Sequence, residues 1–262
     1  DLLTKARCAL RVNLALLAII LMVMFTILRT FGIAVNLFLL DKTPPQIAVL
    51  VMLLIAVYGA QYGLPPLVRL QQFISPPNYF LFALILLLGF TVIETDHYQP
   101  FLAEGLSPAL RGIIPVWFSY SGPEIAIGLL YPCLTRKKDA FRCLAASVAA
   151  LTCLYVLLVI IVQGILGPRE TAHNLLPTLI AYREVEIPDT FIERLDGYFM
   201  IFWIPIVFTC IINWLHFAAF GAARLLSLEC SRPVALLLDP IDYYLVIAPH
   251  NYPTFMDDSR WT

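Results

Sequence analysis

Charge is scarce in this sequence: Asp, Glu, Lys and Arg make up 13% of its 262 residues, and 17 basic against 18 acidic side chains leave a formal net charge of -1. No basic stripe is available to neutralise phosphates, which excludes a nucleic-acid partner. Paired cysteines are also lacking. The six, at 8, 133, 143, 153, 210 and 230, form no CxxC and meet no histidine at zinc spacing. They read as free thiols behaving as small apolar residues, and neither metal nor cofactor is expected. No Gly-rich turn with a lysine is present to cradle a phosphate. No positively charged stretch or cleavage site precedes the first apolar run, so no signal peptide is expected.

What the chain has instead is apolar length. Hydrophobic residues make up 60% and the mean hydropathy is +0.83, far outside the balance of soluble domains. An all-α integral membrane protein of one domain follows, with seven spans at about 12–40, 46–70, 79–93, 113–135, 143–166, 198–222 and 234–248. The turn DKTPP at 41–45 separates the first two, and Ser75, Pro76, Pro77 and Asn78 are expected to break the second from the third. The third is short, at 15 residues. In the polar connection 94–112, Ser107 and Pro108 are placed to cap and start a short interfacial helix. Ala145, Ala146, Ser147, Ala149 and Ala150 give the fifth span a small-residue packing face. A surface helix is expected near 175–183 in the loop 167–197, and Asp239 and Asp242 interrupt the seventh span. Basic loops at Lys5/Arg7/Arg11, Arg69, Arg136/Lys137/Lys138/Arg142 and Arg224/Arg232 alternate with acidic connections, which makes the basic side cytoplasmic. An odd span count of this kind is unusual for a complete permease, and helices missing at both ends are the expected explanation.

The stretch 113–135, IIPVWFSYSGPEIAIGLLYPCLT, is the most informative. It is long enough to cross a bilayer, yet its middle reads Ser119, Tyr120, Ser121, Gly122, Pro123, Glu124. Adjacent glycine and proline free helical carbonyls, and a carboxylate at membrane depth is expensive. A discontinuous helix beside a buried pocket fits this pattern; a proline kink satisfied by neighbouring helices is the plainer alternative. Thr26, Arg29, Thr30 and Asn36 on the first span, and Thr209, Asn213 and His216 on the sixth, put further polar groups at comparable depth. Arg29 is placed to pair with Glu124. Interhelical hydrogen bonding is the competing role for Thr209 and Asn213, and a satisfied core histidine for His216. An intramembrane serine protease built on SYSG and His216 is set aside, because its nucleophile motif needs glycine where Ser119 stands. No enzyme is expected.

Several stretches together resemble one family: LRTFGIAVNLFLLDKTPP at 28–45, VYGAQYGLPPLVRLQQFISP at 57–76, FSYSGPEIAIGLLYP at 118–132, FIERLDGYFMIFW at 191–203 and APHNYP at 248–253. They run in the order of the GerAB-type spore germination permeases, membrane subunits of germinant receptors in endospore-forming bacteria. That family is similar to amino-acid permeases of the APC superfamily. The resemblance therefore implies part of a LeuT-like inverted-repeat bundle of about ten helices, with the ligand between two broken helices at mid-membrane. The present spans would be its third to ninth. Gly122 and Glu124 fall on the family's Gly-x-Glu, the backbone from Ser119 through Ser121 to Pro123 resembles the ligand cradle, and Thr26, Arg29, Thr209 and Asn213 complete the candidate ligand-binding set. The implied ligand is a small nutrient such as an amino acid. The implied partners are a second membrane-embedded subunit and a lipoprotein, in the inner membrane of the spore. Composition and topology serve a nutrient sensor and a proton- or sodium-coupled amino-acid transporter equally, and a purely structural assembly subunit is the third class.

Overall fold

A computed structural model describes residues 2–99, 105–120, 131, 137–184, 195–226, 228 and 230–248. Every regular element among them is helical. The eight α-helices are α1 (Leu2–Phe38), α2 (Pro45–Ala60), α3 (Leu64–Phe90), α4 (Ser107–Tyr120), α5 (Lys137–His173), α6 (Pro177–Glu184), α7 (Leu195–Leu225) and α8 (Arg232–Ile247), with a short 3-10 turn at Thr95–Tyr98. Four segments are long and apolar enough to cross a membrane, namely Asn13–Phe38, Leu64–Phe90, Lys137–His173 and Gly197–Leu225; Pro45–Ala60 is apolar but shorter. Two compact units divide the chain, one of Asp1–Pro76 with Trp203–Thr262, the other of Pro77–Phe202.

In the first unit α1, α2 and α8 pack on one another. Ile20, Met24, Leu28, Phe31, Val35 and Phe38 make the buried stripe of α1, recurring every three or four residues as a 3.6-residue period requires. Gly32 lets α2 come close, since a Cβ there would lie 2.9 Å from Val49 Cγ2. The turn that reverses the chain is held by Asn36, whose Nδ2 donates to the carbonyls of Leu40 (3.2 Å) and Thr43 (2.8 Å). Later in the chain, Trp203 stacks on Phe31 with ring centroids 6.2 Å apart. Ile211, Ile212, Leu215, Ala218, Ala219 and Ala222 of α7 are buried, and a Cβ on Gly59 of α2 would collide with Ile212.

The helix ends and the chain turns between α2 and α3 at Gln61–Gly63, not at 75–78. Gly63 adopts φ 80°, a left-handed conformation that costs glycine least. Pro65 and Pro66 then fall in the first turn of α3, where a missing N–H is no loss. Farther on, α3 runs unbroken through Ser75, Pro76, Pro77 and Asn78, with Ser75 Oγ donating to the Gln71 carbonyl at 2.6 Å. Prolines inside membrane helices are tolerated where neighbours or hydroxyls satisfy the freed groups. The expected spans 46–70 and 79–93 are thus a 16-residue helix followed by a 27-residue one.

The second unit is built around aromatic packing. Tyr182 stacks on Phe199 at 5.5 Å, Phe199 meets Phe202 at 4.7 Å, and Phe82 meets Phe202 edge-on at 5.6 Å. Val162, Leu166 and Ala181 form the adjoining apolar core with Leu158, Ile165 and Ile180. The helix expected near 175–183 is α6, which buries Leu179, Ala181 and Tyr182 and leaves Arg183 and Glu184 exposed. The expected short helix at Ser107 is the first part of the 14-residue α4. Ala145, Ala146, Ser147, Ala149 and Ala150 of α5 are exposed among the described residues.

Gly89 sits where α3 meets this core: a Cβ there would lie 2.6 Å from Ile161 Cγ2 and 2.8 Å from Tyr182 Oη. Gly89→Val should overpack the contact and cost about 1–3 kcal/mol. A lowered thermal midpoint of the detergent-solubilised protein is the expected outcome, whereas Gly221→Val, at an open position, is the control expected to shift it less.

Candidate functional site

Of the residues read as a ligand site, Ser121, Gly122, Pro123 and Glu124 lie outside the described residues, as does the expected Arg29–Glu124 pairing. Ser119 lies in the last turn of α4. Thr26 is exposed, and its hydroxyl donates to the Met22 carbonyl one turn back at 2.9 Å. Arg29 is half-buried, with its guanidinium carbon 5.8 Å from the Phe25 ring centroid. Thr209 and Asn213 are half-buried on α7 with His216, which shares their helical face. Thr209 Oγ1 donates to Ile206 O at 2.8 Å, and the His216 ring centroid is 6.4 Å from that of Phe217. The described cysteines 143, 153, 210 and 230 are free thiols. No group of His, Cys, Asp or Glu among the described residues is arranged to hold a metal ion.

The described part of the second unit holds a helix break of its own, in α5. Gly167 leaves helical geometry with φ 79° and ψ 163°, and Pro168 follows inside the helix. Proline has no N–H, so Gly164, four residues back, loses the donor its carbonyl would have had. The connection after α3 supplies replacements. The backbone N–H of Glu94 donates to Gly164 O at 3.0 Å and His97 Nδ1 lies 2.9 Å from the same oxygen. A carbonyl only accepts, so Nδ1 carries the proton in that contact. His97 Nε2 faces the Glu94 carboxylate at 3.4 Å, and protonating it completes an ion pair, mostly exposed and of small energetic weight. One turn earlier, Tyr98 Oη donates to Ile160 O at 2.7 Å. Burial pushes the Tyr98 phenol above its usual range, so it remains a donor through neutral pH. The missing side chain of Gly164 makes the approach possible, because a Cβ would meet Ile93 Cγ2 at 2.8 Å and collide with the Tyr98 hydroxyl. Nothing local in the sequence signals this clasp. Its two halves are 67 residues apart.

A further polar feature lies on α8 in the first unit. Asp242 is fully buried and Asp239 half-buried; both oxygens of the former and Oδ1 of the latter have no hydrogen-bond partner.

The family described as "Spore germination protein" matches residues 8–254. The chain belongs to this family. It is 27% identical over 225 residues to spore germination protein YndE of Bacillus subtilis (strain 168), a match covering 85% of this chain and 61% of the relative. Spore germination proteins A2 and B2 of the same organism are 26% and 27% identical, over 82% and 80% of this chain and 59% and 56% of theirs. The chain therefore spans about 60% of the length of these curated relatives. No solved structure matches it. Membership of this family, with four helices long and apolar enough to cross a bilayer, marks the chain as an integral membrane protein.

In this family member the clasp over α5 makes a specific expectation. Tyr98→Phe removes one hydrogen bond, worth about 1 kcal/mol net, and His97→Ala removes another while keeping the backbone contact from Glu94. Hydrogen–deuterium exchange of the amides at 164–172 should speed up in both variants and most in the double variant. Unchanged protection would mean that α5 holds its break without the connection.

Proposed function

We propose that the chain is part of the membrane subunit of a spore germinant receptor, in the inner membrane of the spore. In this reading it binds a small nutrient such as an amino acid in a mid-membrane pocket and signals through partner subunits. The carrying observation is the family match over residues 8–254, in a chain whose described segments are apolar helices. A seven-span portion of a LeuT-like inverted-repeat bundle is the proposed architecture, in which discontinuous helices present backbone groups to a ligand. The proposed contacts are the backbone of Ser119, Ser121, Gly122 and Pro123, the Glu124 carboxylate, and Thr26, Arg29, Thr209 and Asn213. An amino acid carries both charges, and a carboxylate beside an arginine suits its ammonium and carboxylate ends. Binding signals only if the nutrient has different affinities for two packing states, and the proposed membrane-embedded and lipoprotein partners would read the difference.

Spores carrying Glu124→Gln or Gly122→Leu in the full-length parent test this directly. At normal protein levels the nutrient concentration for half-maximal germination should rise about tenfold or more, equivalent to ~1.4 kcal/mol of lost binding or coupling. Parental responses from both variants would place the pocket elsewhere. Concentrative amino-acid uptake by the purified protein in liposomes without partners would favour a transporter over a sensor.

A further inference from the structure

The buried carboxyl on α8 has no role in the nutrient-binding reading and is independent of it. Val234, Ala235, Leu238, Asp242 and Val246 form the buried stripe of α8, so Asp242 occupies a position the helical period assigns to an apolar side chain. The stripe packs on α1 and α2. Asp242 is 0% exposed and both of its oxygens lack a hydrogen-bond donor. Asp239 stands three residues earlier on the same side of the helix, half-buried, with Oδ1 enclosed and unpartnered. Two carboxylates this close repel each other, and an ionised group without donors in an apolar stripe is strongly disfavoured.

The described titratable and charged side chains of the surrounding elements can be placed one by one. On α2 the sole titratable side chain is Tyr58, exposed and hydrogen-bonded to Tyr62. On α1, Lys5, Arg7 and Cys8 lie in the first turns, Arg11 is exposed, and Arg29 is half-buried against Phe25. On α8 itself Arg232 is exposed at the start, Tyr243 half-buried and Tyr244 exposed. Among the described side chains, none donates a hydrogen bond to Asp242.

The ligand must then be a cation that fits where no water-sized sphere reaches. A metal ion needs more oxygen ligands than a two-carboxyl site provides, and an organic ammonium needs space. A proton needs neither. We propose that Asp242 and Asp239 form a proton-binding site within the packing of α1, α2 and α8, with Asp242 holding the proton and half-buried Asp239 serving as the port through which it exchanges. A proton from solvent forms an O–H bond on the Asp239 carboxylate, then passes to an Asp242 oxygen as Asp239 returns to its carboxylate form. The pair goes from two negative charges to one, and no other bond is made or broken. Loss of the proton would leave Asp242 charged inside the helix contact, which links proton occupancy to how tightly α8 sits on α1 and α2.

Infrared difference spectroscopy of the full chain in lipid nanodiscs tests both halves. A protonated carboxyl band should be present at neutral pH, be lost in Asp242→Asn and shift frequency in Asp242→Glu, a variant that keeps the acid should the amide not fold. Asp239→Asn should keep the band but delay its shift on transfer to deuterium oxide. No carboxyl band at neutral pH, or a band untouched by both Asp242 variants, would overturn the site. A deuterium shift as fast in Asp239→Asn as in the parent would overturn the port.

Discussion

In a chain this apolar, every backbone N–H and C=O must find its partner within the protein, because lipid offers none. That constraint explains where the helices of this spore germination family member start, turn and break. Pro45, Pro65 and Pro66 stand in first turns, where a missing donor costs nothing. Asn36 donates to two turn carbonyls after α1, those of Leu40 and Thr43. At Gly167 and Pro168 the helix cannot satisfy its own Gly164 carbonyl, and a distant connection does so through Glu94 and His97. The glycine at 164 is there because the clasp must come close.

Where the sequence pattern was long and uniform it was legible. The apolar runs at 12–40, 143–166 and 198–222 lie within or nearly within α1, α5 and α7, since twenty or more apolar residues fix both the type and the extent of an element. Pro76 and Pro77 misled because a proline pair reads locally as a stop, whereas a helix packed among others keeps going. The turn at 61–63 is marked by a glycine at positive φ and by prolines that start a helix, a positional distinction from prolines inside one. The clasp of His97 and Tyr98 on α5 was not legible at all, because it is a long-range pairing with no local signature.

For the site the outcome is uneven. Thr209, Asn213 and His216 fall on one face of α7, as their spacing required. Thr26 and Thr209 both donate to carbonyls of their own helix, the habit of hydroxyls in membrane helices, and this leaves their oxygens free to accept from a ligand. Asp239 and Asp242 were visible as interruptions of an apolar run, but burial could not be read from them: the helical period places Asp242 on the packed stripe only once the neighbours on that side are known. Family membership gives these groups a membrane setting, in which an ionisable side chain inside a helix contact is costly to keep.

The central claim, that a nutrient pocket lies at the middle of the 113–135 stretch, is most directly tested by single cysteines placed in turn at 119–124 in a full-length parent freed of its native thiols. Labelling by a small hydrophilic thiol reagent, suppressed by the germinating nutrient and not by its mirror-image form, is the result expected of a wet pocket at a helix break. Absence of labelling across 119–124, or labelling that the nutrient leaves unchanged, would contradict a ligand site there.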